Sequence, residues 1–444
     1  MPMRNQDICQ SYSGYLLRDV PAEDSELTHV RPTTPMGELL RRSWHPVCLT
    51  QQLGDLPLAV RLLGEDLVAY RDRSGQIGLL HRHCSHRGTS LEFGIVSDRG
   101  LRCCYHGWLF DHDGAILETP GEPSGSNLKA SFNHGAYPAV EHRGLVFAYL
   151  GPPATKPPLP QLDTLETLRD QLVPFSLWHP CNWLQVLENF MDPIHTIFLH
   201  SDYAEIQLSE AYAARPELHW EEVDGGMICV STRRLDADYV WVRTNHLLLP
   251  NFVQVGTLYE DGKEKNFSRA GITRWVVPHD DTHCSIIGWR HFNEVVPSLL
   301  LGDPEECGVD QMDAVGQSGG RSPEETQRNP GDWDVMVSQR PIAIHALEHA
   351  GTTDQGVMML RRNLRMAARG ENQAPLPLHE KTGAINTQTQ DTVMRVRTPE
   401  GTDERQHLRE LCKRVTNIIA SCGDLEGESR LDRIRKGITS LVAE

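Results

Sequence analysis

Short apolar runs broken by Gly, Asp and Ser punctuate the first third of the chain. Leu58–Leu63 precedes Gly64-Glu65-Asp66, and Leu67–Tyr70 precedes the turn Asp72-Arg73-Ser74-Gly75 that leads to Ile77–Leu80. Runs of this length between turn residues predict a small all-β unit, which closes near Leu145–Leu150. The proline-rich stretch from Gly151 to Pro160 predicts a linker, because proline lacks the amide hydrogen that a ladder or helix needs. From Trp178 to His200 the period turns helical, with Trp183, Val186, Leu187 and Phe190 on one side. Longer strand candidates follow at Met227–Thr232, Tyr239–Leu249, Ile272–Val277 and Cys284–Trp289. Val335–His349 and Leu408–Ile419 are predicted helices, and Arg369–Gly401 an irregular segment wrapping the surface. Asp303–Thr326 is polar, acidic and Gly-rich, which predicts an exposed insertion or lid, or a loop without function. There is no internal repeat. The fold class is α+β, with an N-terminal arm or helix over 1–40, a β domain over 41–155 and a second domain over 156–444 that ends in helices.

Composition narrows the function classes. Thirty-nine per cent hydrophobic and 23% charged residues is an ordinary soluble balance. No window reaches the roughly 18 apolar residues of a membrane span, and the polar stretch Met1–Ser13 lacks a signal core. A cytoplasmic location without membrane contact is expected. A formal charge of −17 argues against nucleic acid, whose phosphates require a basic footprint. Of eleven cysteines, Cys9, Cys48, Cys181, Cys229, Cys284, Cys307, Cys412 and Cys422 read as packing thiols.

The other three cysteines carry chemistry. Cys84-Ser85-His86 and Cys103-Cys104-Tyr105-His106 are two Cys/His pairs separated by sixteen residues. Each pair brings a thiolate and an imidazole to a loop, a donor set that suits an iron–sulfur cluster or zinc. The mixed pairing favours a Rieske cluster, with both cysteines on one iron and both histidines on the other; a structural Cys2His2 zinc site is the competitor. Arg87-Gly88 and Gly107-Trp108 follow the pairs and supply glycine for tight turns. Only Cys103, not Cys104, has the Cys-x2-His spacing. His81 and His83 are expected to be surface or supporting residues.

A second constellation is Asn189, Asp192, His195 and His200. Asp192 and His195 share a helix face. His195 and His200 are about 140° apart on an ideal helix, so they meet on one metal only if the helix ends or widens there; Pro193 and a π-type bulge provide that. Two histidines and a carboxylate make the facial triad of non-heme Fe(II) oxygenases. The carboxylate is expected to be Asp332, with Asp334 and Glu325 as competitors.

With both constellations in one chain, the sequence resembles the α subunit of Rieske aromatic-ring oxygenases, within the group of phthalate and chlorobenzoate dioxygenases and biaryl O-demethylases. The likeness runs from Pro35-Met36-Gly37-Glu38 to His349-Ala350-Gly351-Thr352-Thr353-Asp354. It implies a helix-grip catalytic domain with an antiparallel sheet behind the Rieske [2Fe–2S] domain. By that resemblance Cys84, His86, Cys103 and His106 hold the cluster, and His195, His200 and Asp332 hold a mononuclear Fe(II). Asn189 lies near the iron. Asp192 links the two centres across a head-to-tail homotrimer, or a dimer of trimers, by hydrogen-bonding an imidazole on each side. Cys104 stands where proline is usual.

The resemblance implies a terminal oxygenase that uses O2 to hydroxylate an aromatic ring, in a substrate carrying a carboxylate. Oxidative O-demethylation of a methoxylated aromatic is the alternative, and a pure electron carrier the alternative of another class. The chain has no GxGxxG fingerprint and no further cysteine cluster. NADH therefore acts indirectly, through a separate reductase, with or without its own ferredoxin domain. Arg243 and Arg274, in strand candidates, are candidate carboxylate anchors.

Overall fold

The structure is a computed structural model that describes residues 11–165, 171–202, 210–256, 265–292, 303–371 and 383–443; Cys9 lies outside them. The N-terminal segment contributes a helix, Pro35–Arg41, started by Pro35 and capped by the Thr34 hydroxyl, which accepts from Gly37 N–H at 3.2 Å. The β unit predicted after it is built from eleven strands: β1 (Trp44–Leu49), β2 (Leu58–Leu62), β3 (Glu65–Arg71), β4 (Ile77–His81), β5 (Ile95–Val96), β6 (Leu101–Arg102), β7 (Leu109–Phe110), β8 (Ile116–Glu118), β9 (Ala136–Tyr137), β10 (Ala139–His142) and β11 (Leu145–Tyr149). They form three antiparallel sheets, β1-β11-β10, β2-β3-β4-β9 and β5-β6-β7-β8. Leu63 and Gly64 take φ of 50° and 80° in the two-residue turn between β2 and β3, the geometry that matches strand twist.

Beyond the proline-rich stretch, a fourth, larger antiparallel sheet has the order β12 (Gln171–His179), β19 (His283–Phe292), β18 (Ala270–Asp280), β16 (Phe252–Gly256), β15 (Tyr239–Leu248), β14 (Gly226–Arg234) and β13 (Glu217–Val223). β15 is shared at one edge. His246–Leu248 pairs with β16, while Tyr239–Thr244 pairs with β20 (Gln390–Arg395), which also meets β17 (Lys265–Ser268). The two units share one core: Phe147 of β11 packs edge-on against Trp275 at 5.3 Å, and Trp275 against Trp289 at 5.7 Å.

Alternation along β14 and β15 decides what the sheet does. Ile228, Val230, Val240 and Val242 face outward and are covered by Leu408, Leu411, Val415, Ile434 and Ile438 of two C-terminal helices, Glu404–Ala420 and Gly427–Ala443. Ser231, Arg233, Arg243 and Asn245 sit on the opposite face and line an internal cavity. The helix Trp183–Glu188 is wholly buried against β18 and β19 on that inner side, the arrangement of a helix gripped by a sheet.

Several expectations need correction. Trp178 and His179 end strand β12, and the helix begins only at Trp183, where the Asn182 side chain accepts from Leu184 N–H. The helix expected over Val335–His349 is Asp332–Ser338 and stops before Pro341. Within Arg369–Gly401 lies β20, a central strand whose polar residues are buried because they pair with β15. The segment Asp303–Thr326 is not merely an exposed insertion: Met312, Ala314 and Gln317 wall the cavity, and Asp313 is buried against Arg290. The helix Gln355–Ala368 was not expected, since arginines crowd between its apolar positions, and the C-terminal helices expected without bounds are Glu404–Ala420 and Gly427–Ala443.

Candidate metal centres

The two Cys/His segments fold as near copies. In one, Gly88 N–H donates to Cys84 C=O at 2.7 Å and Cys84 N–H to Thr89 C=O at 2.9 Å; in the other, Gly107 N–H donates to Cys103 C=O at 3.1 Å and Cys103 N–H to Trp108 C=O at 2.8 Å. Both glycines have φ of +75°, a conformation that disfavours any side chain. One loop follows β4 and is closed by the bridge between His83 and Ser90; the other joins β6 to β7.

This symmetry places the side chains. Cys84 and Cys103 are buried together, and burial with the neighbouring Cys103 sulfur pushes the Cys84 thiol up to about 11. Cys104 is exposed. The His86 and His106 rings meet edge-on at 4.4 Å, and His86 stacks on Trp108 at 4.5 Å. His86 Nδ1 is buried without a hydrogen-bond partner, as a donor atom awaiting a metal would be. Two thiolates and two imidazoles converging in this way fit a Rieske cluster. His83 serves the turn, its Nδ1 lying 3.1 Å from Gly88 C=O, and His81 lies 3.5 Å from Glu65; neither joins the four.

The second constellation assembles from three places. After Trp183–Glu188 the chain makes a 3-10 turn, Asn189–Met191, a short helical turn at His195–Ile197, and a π-helical turn, Phe198–Asp202. The wider π turn is the local device the five-residue spacing demanded. It brings His195 and His200 to a centroid distance of 5.4 Å at 73°. Asp332, at the start of its helix, reaches both: Oδ1 lies 3.2 Å from His200 Nε2 and 3.5 Å from His195 Nε2. One donor atom from each of the three falls within 4.8 Å of the others.

Burial alone would raise the Asp332 pKa; the His200 and His195 imidazoles and the Gln317 amide outweigh it and hold the carboxyl well below its usual range. Gln317 Nε2 donates to Oδ2 at 2.5 Å and Asn189 Nδ2 to Oδ1 at 3.2 Å. The competing carboxylates are occupied elsewhere. Asp334 Oδ2 accepts from Gly331 N–H at 2.8 Å and pairs with Arg321, and Glu325 closes a capping box with Ser322. His195 Nδ1 is buried without a partner. Two imidazoles and a carboxylate on one side fit a facially coordinated iron.

Asp192 departs from expectation. Its Oδ2 lies 3.8 Å from His195 Nδ1, beyond hydrogen-bond reach, because Oδ1 is held by Ile194 N–H at 3.0 Å. Its position is nonetheless distinctive: Asn189, Asp192 and His195 line both the inner cavity and an open depression on the outer surface that includes Phe198, Met358 and Arg361.

The cavity facing the triad has a volume of about 120 Å³ among the described residues. Phe190, Val255, Ile272, Met312 and Ala314 supply apolar wall, while Arg233, Arg243, Arg274 and Arg290 supply charge. Sequence reading pointed to Arg243 and Arg274, and both reach the cavity. It missed Gln317, Tyr212, Arg233 and Arg290, which no local motif marks.

Comparison with known proteins agrees with this architecture. Residues 43–133 match the Rieske [2Fe-2S] domain. Dicamba monooxygenase bound to dicamba superposes with a TM-score of 0.58 at 20% identity, over 75% of this chain and 98% of that one, a likeness of fold. The oxygenase subunit of the tert-butanol monooxygenase / tert-amyl alcohol desaturase of Aquincola tertiaricarbonis is 43% identical over 98% of this chain and 97% of its own. Phenoxybenzoate dioxygenase subunit alpha of Ectopseudomonas oleovorans is 36% identical over 80% and 87%. The 5,5'-dehydrodivanillate O-demethylase oxygenase subunit of Sphingobium sp. is 33% identical over 85% and 89%.

The fold and site thus define an oxygenase built on a Rieske domain, and the chain belongs to the family of oxygenase subunits of Rieske non-heme iron oxygenases. It is an oxidoreductase whose cofactors are a Rieske [2Fe–2S] cluster and a mononuclear iron, and it works with a separate reductase. No helix among the described residues is long and apolar enough to cross a membrane.

Proposed function

We propose that this chain is the terminal oxygenase that hydroxylates a compact, single-ring aromatic acid. The observation that carries the reading is the His195–His200–Asp332 triad facing a part-apolar cavity of about 120 Å³, near the size of the roughly 150 Å³ cavity that admits benzene. Cys84, His86, Cys103 and His106 hold the cluster, and His195, His200 and Asp332 hold the iron, with Asn189 and Gln317 fixing the carboxylate. When bound, the metals would relay the reductase's electrons and supply the oxygen activation. The chain's own residues orient the ring against Phe190 and Ile272. For hydroxylation, one O2, two electrons and two protons give one hydroxyl on the substrate and one water.

Asp192, with its side chain 31% exposed on the outer depression, is the electron inlet. It receives a second copy's cluster loop, tipped by the half-exposed Tyr105, in a head-to-tail trimer. Free thiols throughout the described residues and the absence among them of a membrane-crossing helix support a cytoplasmic location.

Product analysis from a panel of aromatic acids and methoxylated aromatics, with NADH and a reductase, tests the reading. A hydroxylated acid supports it; formaldehyde release assigns O-demethylation instead. One observation favours a second reading: the relative that shares 43% identity along nearly the whole chain is named for small tertiary alcohols. Turnover of tert-butanol with none of any aromatic would establish that reading.

A further inference from the structure

Tyr212 is the one phenol in the described wall of the cavity. It belongs to the 3-10 turn Glu210–Ala213 and is 3% exposed. Behind it stands Trp241 of β15, wholly buried, with the two rings edge-on at 5.0 Å between centroids. Tyr239 lies two residues back on the same face of β15 and packs in the same cluster, yet keeps partial exposure. Three readily oxidised side chains therefore lead from the cavity to the surface.

The indole proton of Trp241 has a prepared acceptor. Its Nε1 donates to Asp391 Oδ1 at 2.7 Å, and Asp391 is fully buried on β20 with its other oxygen, Oδ2, unpartnered. A Cβ at Gly256 would fall 1.9 Å from that Oδ2, so the carboxylate is seated against bare backbone. Burial pushes the Asp391 pKa up to about 6, with Arg243 opposing, so at pH 7 the group is ionised yet more basic than an ordinary carboxylate. Tyr212 has no such base. Its Oη accepts from Arg243 at 2.5 Å, and burial pushes its pKa up to about 12. The guanidinium of Arg233 lies 5.2 Å from both ring centres, and that of Arg243 lies 5.6 Å from Tyr212 and 5.7 Å from Trp241. Cations so placed oppose a positive charge on either ring. Loss of the indole proton together with the electron avoids that charge. Trp241 can therefore rest as a neutral radical, while Tyr212 only bridges it to the cavity.

We propose that Tyr212, Trp241 and Tyr239 form a redox exit, which carries oxidising equivalents from the triad to the surface when no substrate takes them. The inference rests on the oxygenase reading for its oxidant. With hydrogen peroxide as the oxygen species, each equivalent removes one electron from Trp241, and the Nε1 proton passes to Asp391. Tyr239 then refills Trp241 with an electron, Asp391 returns the proton, and the Tyr239 phenol releases its own proton to solvent. A thiol in solution restores Tyr239 with one electron and one proton. Two such passes, with two protons from solvent, turn one peroxide into two waters and two thiols into a disulfide. The test mixes substrate-free holoenzyme, its cluster oxidised and its iron reduced, with hydrogen peroxide, followed by rapid freezing. The expected result is a free-radical EPR signal that ring-deuterated tryptophan narrows. Trp241→Phe should lose it, and oxygen should then accumulate on Met312 and Phe190 in peptide mass spectra. Asp391→Asn should lose most of the signal. Tyr239→Phe, at the partly exposed end, should prolong it, and serves if the Trp241 variant does not fold. No radical in the wild type, an undiminished signal in Trp241→Phe, or an equal signal in Asp332→Ala would overturn the proposal. Product from the substrate panel without any radical keeps the oxygenase and removes the exit. A Trp241 radical without product from any aromatic keeps the exit and removes the proposed substrate class.

Discussion

The two Cys/His loops and the His195–His200–Asp332 triad solve the same problem, gathering ligand side chains around one point, by opposite routes. The cluster loops do it locally. Each is a six-residue turn that closes on itself through the same pair of backbone hydrogen bonds, and the turns need only a glycine at +75° and flanking strands. The triad is assembled at long range: Asn189 reaches Asp332 across 143 residues of sequence, and the histidines need a π turn to face one point. Local closure makes a site readable from spacing. Long-range assembly makes it sensitive to everything that positions the carboxylate, including Gln317, which comes from a segment that looks dispensable in sequence.

The largest expected effect is at the local site. Cys84→Ser should abolish the cluster's visible spectrum and all oxygenation, because no neighbouring donor replaces the buried sulfur; a normal spectrum would show that the exposed Cys104 substitutes and that the loop is less exacting than its geometry. Next, Asp332→Ala should lower iron from about three to about two per chain while leaving the cluster spectrum intact. Asp334→Ala should keep all the iron and cost roughly 1 kcal/mol through the lost helix cap. Iron loss in the second variant instead would relocate the ligand by two residues.

Asp192→Ala should fill both sites yet reduce turnover at least a hundredfold, measured by stopped-flow reoxidation of the cluster. Unchanged reoxidation would remove Asp192 from the electron path. Gln317→Ala should weaken iron retention against a chelator by about tenfold, and Gln317→Glu more, since it sets a second negative charge against Asp332.

The smallest effect concerns the frame of the cluster domain. Burial would raise the Glu65 pKa, but His81, Tyr137 and Arg41 outweigh it and bring it to about 2. A depressed carboxyl contributes stability above its unfolded value, near 4.5, and loses it as pH falls toward 2. Glu65→Gln should therefore melt a few degrees lower at pH 7, with the gap to wild type narrowing below pH 4.5; a gap constant with pH would mean the carboxylate's charge is not what matters.

Legibility followed the same division. The β unit, the four proposed cluster donors and the two histidines of the proposed iron site lie in contiguous stretches whose spacing and turn residues are local quantities, so they are legible without a structure. Asp332 was separable from Asp334 only through tertiary contacts: one carboxyl meets two imidazoles, while the other is consumed by Gly331 and Arg321. β20 looked irregular because its buried Gln390, Asp391 and Thr392 are polar, and only pairing with β15 makes that burial tolerable.

What the chain's order of residues determined by itself is the chemistry it can do: which donors exist, how far apart they are, and that two metal sites share one polypeptide. What only the tertiary structure decided is the cavity. Four arginines look equivalent in sequence, each in a strand. Folding gives Arg233, Arg243 and Arg290 hydrogen-bond or ion-pair partners and leaves the Arg274 Nε buried and unpaired, its guanidinium over the Phe190 ring at the cavity wall. The physical reason is that pairing is a property of space: a guanidinium is satisfied or left waiting according to what the sheet sets against it.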